Sequence, residues 1–447
     1  MNMKILFISL GCDKNLSDSE EMLGLLQKKG YSFTDDETEA DVIVINTCCF
    51  IGDAKEESVQ TILEMAEYRK SGSCKALIVT GCMAQRYRQE ILDEIGEVDM
   101  VLGTTAYDEI VQAVDEALAG TRRVETKPLD RLPETDGGRI VTTGGHYAYL
   151  KIAEGCNKCC TYCIIPKLRG RYRSVPMERL VAQAQELADQ GVKELILVAQ
   201  ETTVYGVDLY GEKSLHILLK KLCAISGLRW IRLLYCYPEE IYDGLIEVMR
   251  TEEKICHYLD LPIQHASDAV LKRMGRRTTR ADLTQIITRL REEIPDIVLR
   301  TTLIAGFPGE TKEQHEEVMD FIDEMEFDRL GVFPYSQEED TPAASMPDQI
   351  DEETKLAWQE ELMELQQEIA FDRAEDMEGR IVTAMVEGQV ADENVYVART
   401  YGDAPNVDGL LFLHTDEVLM TGDFVRARIT GAAEYDLIGE IADEFTE

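Results

Sequence analysis

Two successive series of short apolar runs, each run followed by an amphipathic stretch, restrict this 447-residue chain to parallel sheets covered by helices. The first series predicts strands over residues 4–10, 41–46, 75–80 and 98–102. Helices are expected between them over 18–29, 53–70, 83–95 and 107–118, with Ser17 as the cap of the first. This is the pattern of a flavodoxin-like domain over residues 1–122. Pro128, Pro133, Gly137 and Gly138 interrupt any periodicity, so residues 123–142 are expected to form a linker. The second series predicts strands over 147–153, 194–198, 230–234, 256–261, 298–304 and 329–334. Six βα units are too few for an eight-fold barrel, so residues 143–376 are expected to form a partial (βα)6 barrel with its site at the strand C-termini. A long helix over 352–375 closes that domain. Residues 377–447 change to about five short strands separated by Gly, Asp and Asn, which suits a small antiparallel β-barrel.

The chain has 12 cysteines, and its longest apolar runs fall far short of a membrane span. Its first residues do not have the charge and cleavage pattern of a signal peptide, so a cytoplasmic protein with reduced thiols is expected. Cys156, Cys160 and Cys163 are spaced C-x3-C-x2-C within Glu154-Gly155-Cys156-Asn157-Lys158-Cys159-Cys160-Thr161-Tyr162-Cys163. Three thiolates on one tight loop can hold three irons of a 4Fe-4S cube and leave the fourth open for chemistry. Zinc is the alternative, but it prefers two separated ligand pairs, and no second pair or nearby His accompanies the loop. Cys159 is read as a non-ligand.

Cys12, Cys48 and Cys82 follow the first, second and third predicted strands. The C-terminal ends of parallel strands share one edge, so thiols some 35 residues apart can converge at a crevice. A second cluster is expected there, against the alternative that each is a small buried residue. Cys49, Cys74, Cys223, Cys236 and Cys256 show no such pattern and are read as packing.

The C-x3-C-x2-C loop resembles that of the radical SAM enzymes. Together with Gly11-Cys12-Asp13-Lys14-Asn15, Asn46-Thr47-Cys48-Cys49 and Thr80-Gly81-Cys82, it is similar to the methylthiotransferase branch, in order along the whole chain. Leu10 to Leu16, Cys163-Ile164-Ile165-Pro166 and Leu168-Arg169-Gly170 look like the ribosomal protein aspartate methylthiotransferases. They look less like the branch that modifies adenosine in tRNA. The last segment resembles a TRAM domain.

The resemblance implies two 4Fe-4S clusters, one on Cys156, Cys160 and Cys163 and one on Cys12, Cys48 and Cys82, with S-adenosylmethionine bound at the first. It implies a 5'-deoxyadenosyl radical that takes hydrogen from the β-carbon of an aspartate in ribosomal protein uS12, free or within the small subunit, and sulfur delivered at the second cluster. An external electron donor is implied as well. Gln200, Glu201, Arg300 and Gly306 match family stretches beside the cofactor, although Glu201 stands where Asp is usual. His265 is read as a wall residue. No residue is assigned as catalytic, because a carbon radical abstracts hydrogen and needs no tuned proton acceptor. An RNA-directed methylthiotransferase and an iron-sulfur carrier without substrate chemistry are the competing readings.

Charge bears on the first of these competitors. The chain carries 46 Lys and Arg against 85 Asp and Glu, a net charge of −39. Nucleic-acid binding is driven largely by basic side chains displacing counterions, so RNA is not expected as the main contact. Residues 377–447 hold four Arg, no Lys and a net charge of −11, where an RNA-gripping module would carry a basic face. A basic protein partner is expected instead. Lys167, Arg169, Arg171 and Arg173 are a local exception. They are read either as a clamp for a carboxylate of cofactor or target, or as a solvated charge run.

Overall fold

A computed structural model describes residues 3–135, 138–391 and 393–442. Gly137 of the expected linker lies outside the described residues.

The first apolar series forms a parallel sheet. Its strands run in the order Ser32–Phe33, Lys4–Ser9, Val42–Thr47, Ala76–Gly81, Met100–Leu102 and Arg123–Glu125. All neighbouring pairs are parallel, and apart from the added last strand the order is the flavodoxin one. The two central strands are buried throughout, which explains their unbroken Val and Ile runs. The first helix spans Asp13–Lys29 and not 18–29, with Cys12 in an extended conformation as its N-cap. Ser17 is therefore a buried residue inside the helix and not its cap. The helix expected over 83–95 is split into Cys82–Tyr87 and Gln89–Glu94, because Arg88 adopts a φ of 44° and breaks the hydrogen-bond ladder.

The second series forms a six-stranded, all-parallel open sheet ordered Arg329–Pro334, Val298–Ala305, Ile255–Asp260, Trp230–Leu233, Glu194–Val198 and Tyr147–Lys151. A two-stranded antiparallel ribbon, Ala153–Glu154 with Arg173–Ser174, brackets the cysteine loop. The long helix Glu352–Glu375 lies along the edge strand, where Gln359 and Gln366 donate to the carbonyls of Val332 and Phe327. Its Ala374 then enters the core of the last domain. That domain is a closed five-stranded barrel with four antiparallel pairings and one parallel pairing, Leu411–His414 with Asp436–Ile441.

Buried charge joins the last two domains. Glu194, at the start of a central strand, accepts from Arg232 at 2.8 Å and from Arg399 of the small barrel at 2.7 Å. Burial alone would raise its carboxyl, but Arg399 and Arg232 outweigh burial and hold it below the usual range. A depressed carboxyl stabilises the fold above its ordinary value, and that contribution is lost as pH falls through the folded one. Glu194→Gln is accordingly expected to lower the unfolding free energy near pH 7, by a gap that narrows toward about pH 4 and below. Urea unfolding across that range measures it, and a gap independent of pH would refute the ionised pairing.

Candidate active site

Both cysteine sets stand at strand C-termini. In the first domain, glycine conformation draws three loops together. Gly11 and Gly81, each directly before a cysteine, have φ of 88° and 92°. A Cβ at Gly11 would lie 2.7 Å from Cys48 Cβ, and one at Gly81 would lie 2.4 Å from the Thr47 carbonyl. Only a residue without a side chain permits this approach. Asn15 Nδ2 donates to the carbonyls of Leu10 and Thr47 at 3.0 and 2.9 Å, tying two of the loops. Asn46 Nδ2 returns a bond to the Asn15 carbonyl at 2.9 Å. Ser58 Oγ, which no sequence signal marked, accepts from the Cys48 amide and donates to its carbonyl.

Burial pushes the Cys48 thiol up to about 12, and the nearby thiols of Cys82 and Cys12 add to the rise. The three groups thus converge as the spacing suggested. In the second domain, burial pushes Cys156 up to about 11 and Cys163 up to about 12, with Cys160 adjoining both. Buried thiols that resist ionisation are inert alone, whereas a coordinated metal supplies the charge that removes their protons. Among the described residues no three His, Cys, Asp or Glu side chains are gathered for a single metal ion. Each triad offers thiols alone, the donor type of a 4Fe-4S cluster, in which each thiolate binds its own iron. Cys159 is exposed, and Cys49, Cys74, Cys223, Cys236 and Cys256 are buried.

Glu201 lies beside the second cysteine loop. Its Oε1 is buried without a hydrogen-bond partner, as is Gln200 Oε1. Burial pushes the Glu201 carboxyl up to about 8 even though Lys158 lies 3.6 Å away. Gln200 Nε2 donates to Glu154 at 3.0 Å. A buried oxygen left without a donor is suited to a hydrogen-bond donor brought by a ligand. Arg300 instead faces protein carboxylates, Asp260 at 3.0 Å and Asp408 of the small barrel at 3.5 Å. Gly306 packs against the long helix, where an added Cβ would meet Lys355 Cγ at 2.4 Å. His265 lies 3.1 Å from Glu310, whose other oxygen accepts from the Phe307 amide and fixes the turn after the strand. Lys158, Tyr237, Glu239, Glu240 and Arg276 surround Glu201, and none was legible beforehand.

The basic run after the loop needs correction. Arg169 is 2% exposed, and its guanidinium is engaged within the protein. Its guanidinium donates to Asp18 at 2.7 Å, to Glu154 at 3.2 Å and to Asn15 Oδ1. Lys151 completes the cluster by pairing with Asp18 and with Glu154, the latter at 2.9 Å. Burial would raise the Glu154 carboxyl, but Lys151 and Arg169 outweigh it and hold the group far below its usual range. Arg173 is also buried, donating to the Arg169 carbonyl, while Lys167 reaches the Asp340 carbonyl and Arg171 is exposed. One buried network thus joins the helix after Cys12 to the loop after Cys163. Ile164 and Leu168 seal it by packing in the core of the first domain.

An open parallel sheet with a three-cysteine loop at its carboxyl edge, preceded by a flavodoxin-like domain and followed by a five-stranded barrel, defines a radical SAM enzyme of three modules. Family models agree: residues 4–103 match uncharacterized protein family UPF0004, 150–322 the radical SAM superfamily and 379–442 the TRAM domain. The chain is 64% identical to ribosomal protein uS12 methylthiotransferase RimO of Lachnoclostridium phytofermentans, over 98% of this chain and 99% of that one. It is 47% identical to the protein of the same name from Clostridioides difficile, over 99% of each. The chain belongs to the radical SAM methylthiotransferase family of these RimO proteins. Among solved structures, the methyltransferase TsrM from Kitasatospora setae has a TM-score of 0.56 at 14% identity, covering 85% of this chain and 76% of that one. The radical enzyme OxsB has 0.53 at 13%, covering 82% and 56%. These likenesses concern the fold. No helix of the described residues is long and apolar enough to cross a membrane.

Proposed function

We propose that this protein attaches a methylthio group to the β-carbon of an aspartate in ribosomal protein uS12. The observation that carries the reading is the pairing of two convergent cysteine triads, each at the carboxyl edge of its own parallel sheet and joined through Arg169. The relatives named above, similar over nearly the whole chain, supply the choice of uS12 over tRNA.

Two 4Fe-4S clusters and S-adenosylmethionine would supply the chemistry, a 5'-deoxyadenosyl radical at Cys156, Cys160 and Cys163 and sulfur transfer at Cys12, Cys48 and Cys82. Gln200 and Glu201, with their unpaired oxygens, are the groups suited to the amino end of S-adenosylmethionine. Arg300, near the start of the strand Val298–Ala305, and Gly306, directly after its end, act through protein contacts, Arg300 with Asp260 and Asp408 and Gly306 with Lys355. The buried Arg169 network excludes water between the two triads and holds them in one orientation. An external donor supplies electrons, and the acidic last domain favours a basic protein partner, free or within the small subunit.

The test is mass analysis of uS12 and of tRNA nucleosides from cells with and without this protein. A methylthio mass on uS12 that disappears with the protein is expected. Its appearance in tRNA alone would replace this reading with the RNA-directed one, and failure to form 5'-deoxyadenosine would leave an electron carrier.

A further inference from the structure

Lys14 is buried to 7% exposure, in the first turn of the helix Asp13–Lys29 and two residues beyond Cys12. Buried lysines are rare without a carboxylate partner. Among the described residues Lys14 Nζ pairs with no carboxylate, and its recorded contact is the face of the Tyr235 ring, 3.1 Å from the centroid. The neighbouring acid is otherwise engaged, since Asp13 accepts from the Tyr235 hydroxyl at 3.2 Å.

Tyr235 belongs to the other domain. It lies two residues past the strand Trp230–Leu233 and holds a φ of 59°, a left-handed conformation that is strained for a bulky residue. Asp260 fixes it by accepting from its amide at 3.0 Å, and its carbonyl accepts from the Thr202 amide at 3.0 Å. The ring packs along apolar side chains of its own domain and lies under the ammonium beside Cys12. An aromatic face attracts a cation but leaves its hydrogen bonds unmade, so the ammonium retains donors for a visiting anion.

We propose that Lys14 binds the side-chain carboxylate of the target aspartate and so places its β-carbon between the two cysteine triads, an assignment that rests on the uS12 reading above. The carboxylate adjoins the carbon that reacts, so a cation at this point fixes which hydrogen is presented. S-adenosylmethionine also carries a carboxylate, but its expected place is at the Cys156 loop, whereas Lys14 follows the Cys12 loop.

The experiment measures binding of uS12 to the reconstituted, anaerobic holoenzyme, using uS12 with the target aspartate and uS12 with asparagine there. Lys14→Met is expected to weaken binding of the aspartate form about tenfold or more, and to leave the asparagine form unchanged. Lys14→Arg retains most of the affinity. Iron content, the paramagnetic signals of both clusters and 5'-deoxyadenosine formation without uS12 stay as in the unsubstituted protein. Equal weakening of both uS12 forms, undiminished binding of the aspartate form, or loss of iron in Lys14→Met would each overturn the assignment of Lys14 alone. If the unsubstituted protein never adds the methylthio mass to uS12, the parent reading fails, and this one with it.

Discussion

Replacing Cys12, Cys48 and Cys82 together by Ala yields a protein that holds roughly half the iron of the parent, still forms 5'-deoxyadenosine and transfers no methylthio group. The three thiols lie on separate loops, drawn together by Gly11 and Gly81 and cross-linked by Asn15. The Cys156 loop is built independently: the Cys156 amide donates to the Gly170 carbonyl, and the Thr161 amide to the Met274 carbonyl. Neither of these two bonds passes through a thiol of the first triad. Loss of the first triad is therefore expected to remove the proposed sulfur-delivering site and to spare radical generation. Iron analysis, a 5'-deoxyadenosine assay and the mass of uS12 measure the three consequences separately. Unchanged iron in the triple variant would refute a cluster at this edge.

Arg169→Ala is expected to lower the unfolding free energy by about 3 to 5 kcal/mol. The guanidinium is shared by Asp18 and Glu154, both nearly inaccessible, so its removal leaves Lys151 alone to balance two buried carboxylates. Arg169→Lys recovers only part of the loss, because one ammonium cannot span Asp18, Glu154 and the Asn15 amide oxygen as a planar fork does. Denaturant unfolding of the three proteins measures the effect. An Ala variant as stable as the parent would mean that water or protonation substitutes for the arginine.

The sheets were readable because strands buried on both faces must be continuous apolar runs, as in Val42–Thr47 and Ala76–Gly81, whereas Val298–Ala305 alternates buried and half-buried residues. Both cysteine triads were readable for a related reason: one is a local spacing, and the other repeats one residue type at equivalent strand ends. Boundaries set by a single backbone angle were not. Arg88 carries no composition signal for its φ of 44°, and Cys12 is not a usual helix cap, so Ser17 looked the better start. The ribbon Ala153–Glu154 with Arg173–Ser174 is too short for alternation to mark. Arg169 misled for another reason. Its alternation with Arg171 and Arg173 suggested a surface clamp, whereas its carboxylates come from Asp18, over 150 residues away, and from Glu154. Partner choice across that distance depends on how two domains dock, which no local pattern encodes. Glu201 and Lys14 lie in stretches that sequence had marked, yet their unsatisfied state emerges only from burial.

The Glu194 contact with Arg232 and Arg399 has a bearing on how such chains can evolve. The charge that one module hides is neutralised by its neighbour, as Asp408 and Asp403 of the small barrel also answer Arg300 and Arg329. Several acids of the strongly negative last domain are thus spent inward. A barrel that lacked Arg399, or that carried an unmatched acid, would strand an ion in the seam. Exchange of the last domain in this architecture is therefore constrained by electrostatic pairing at the joints, and change is easier on the outer face of a barrel that stays in place.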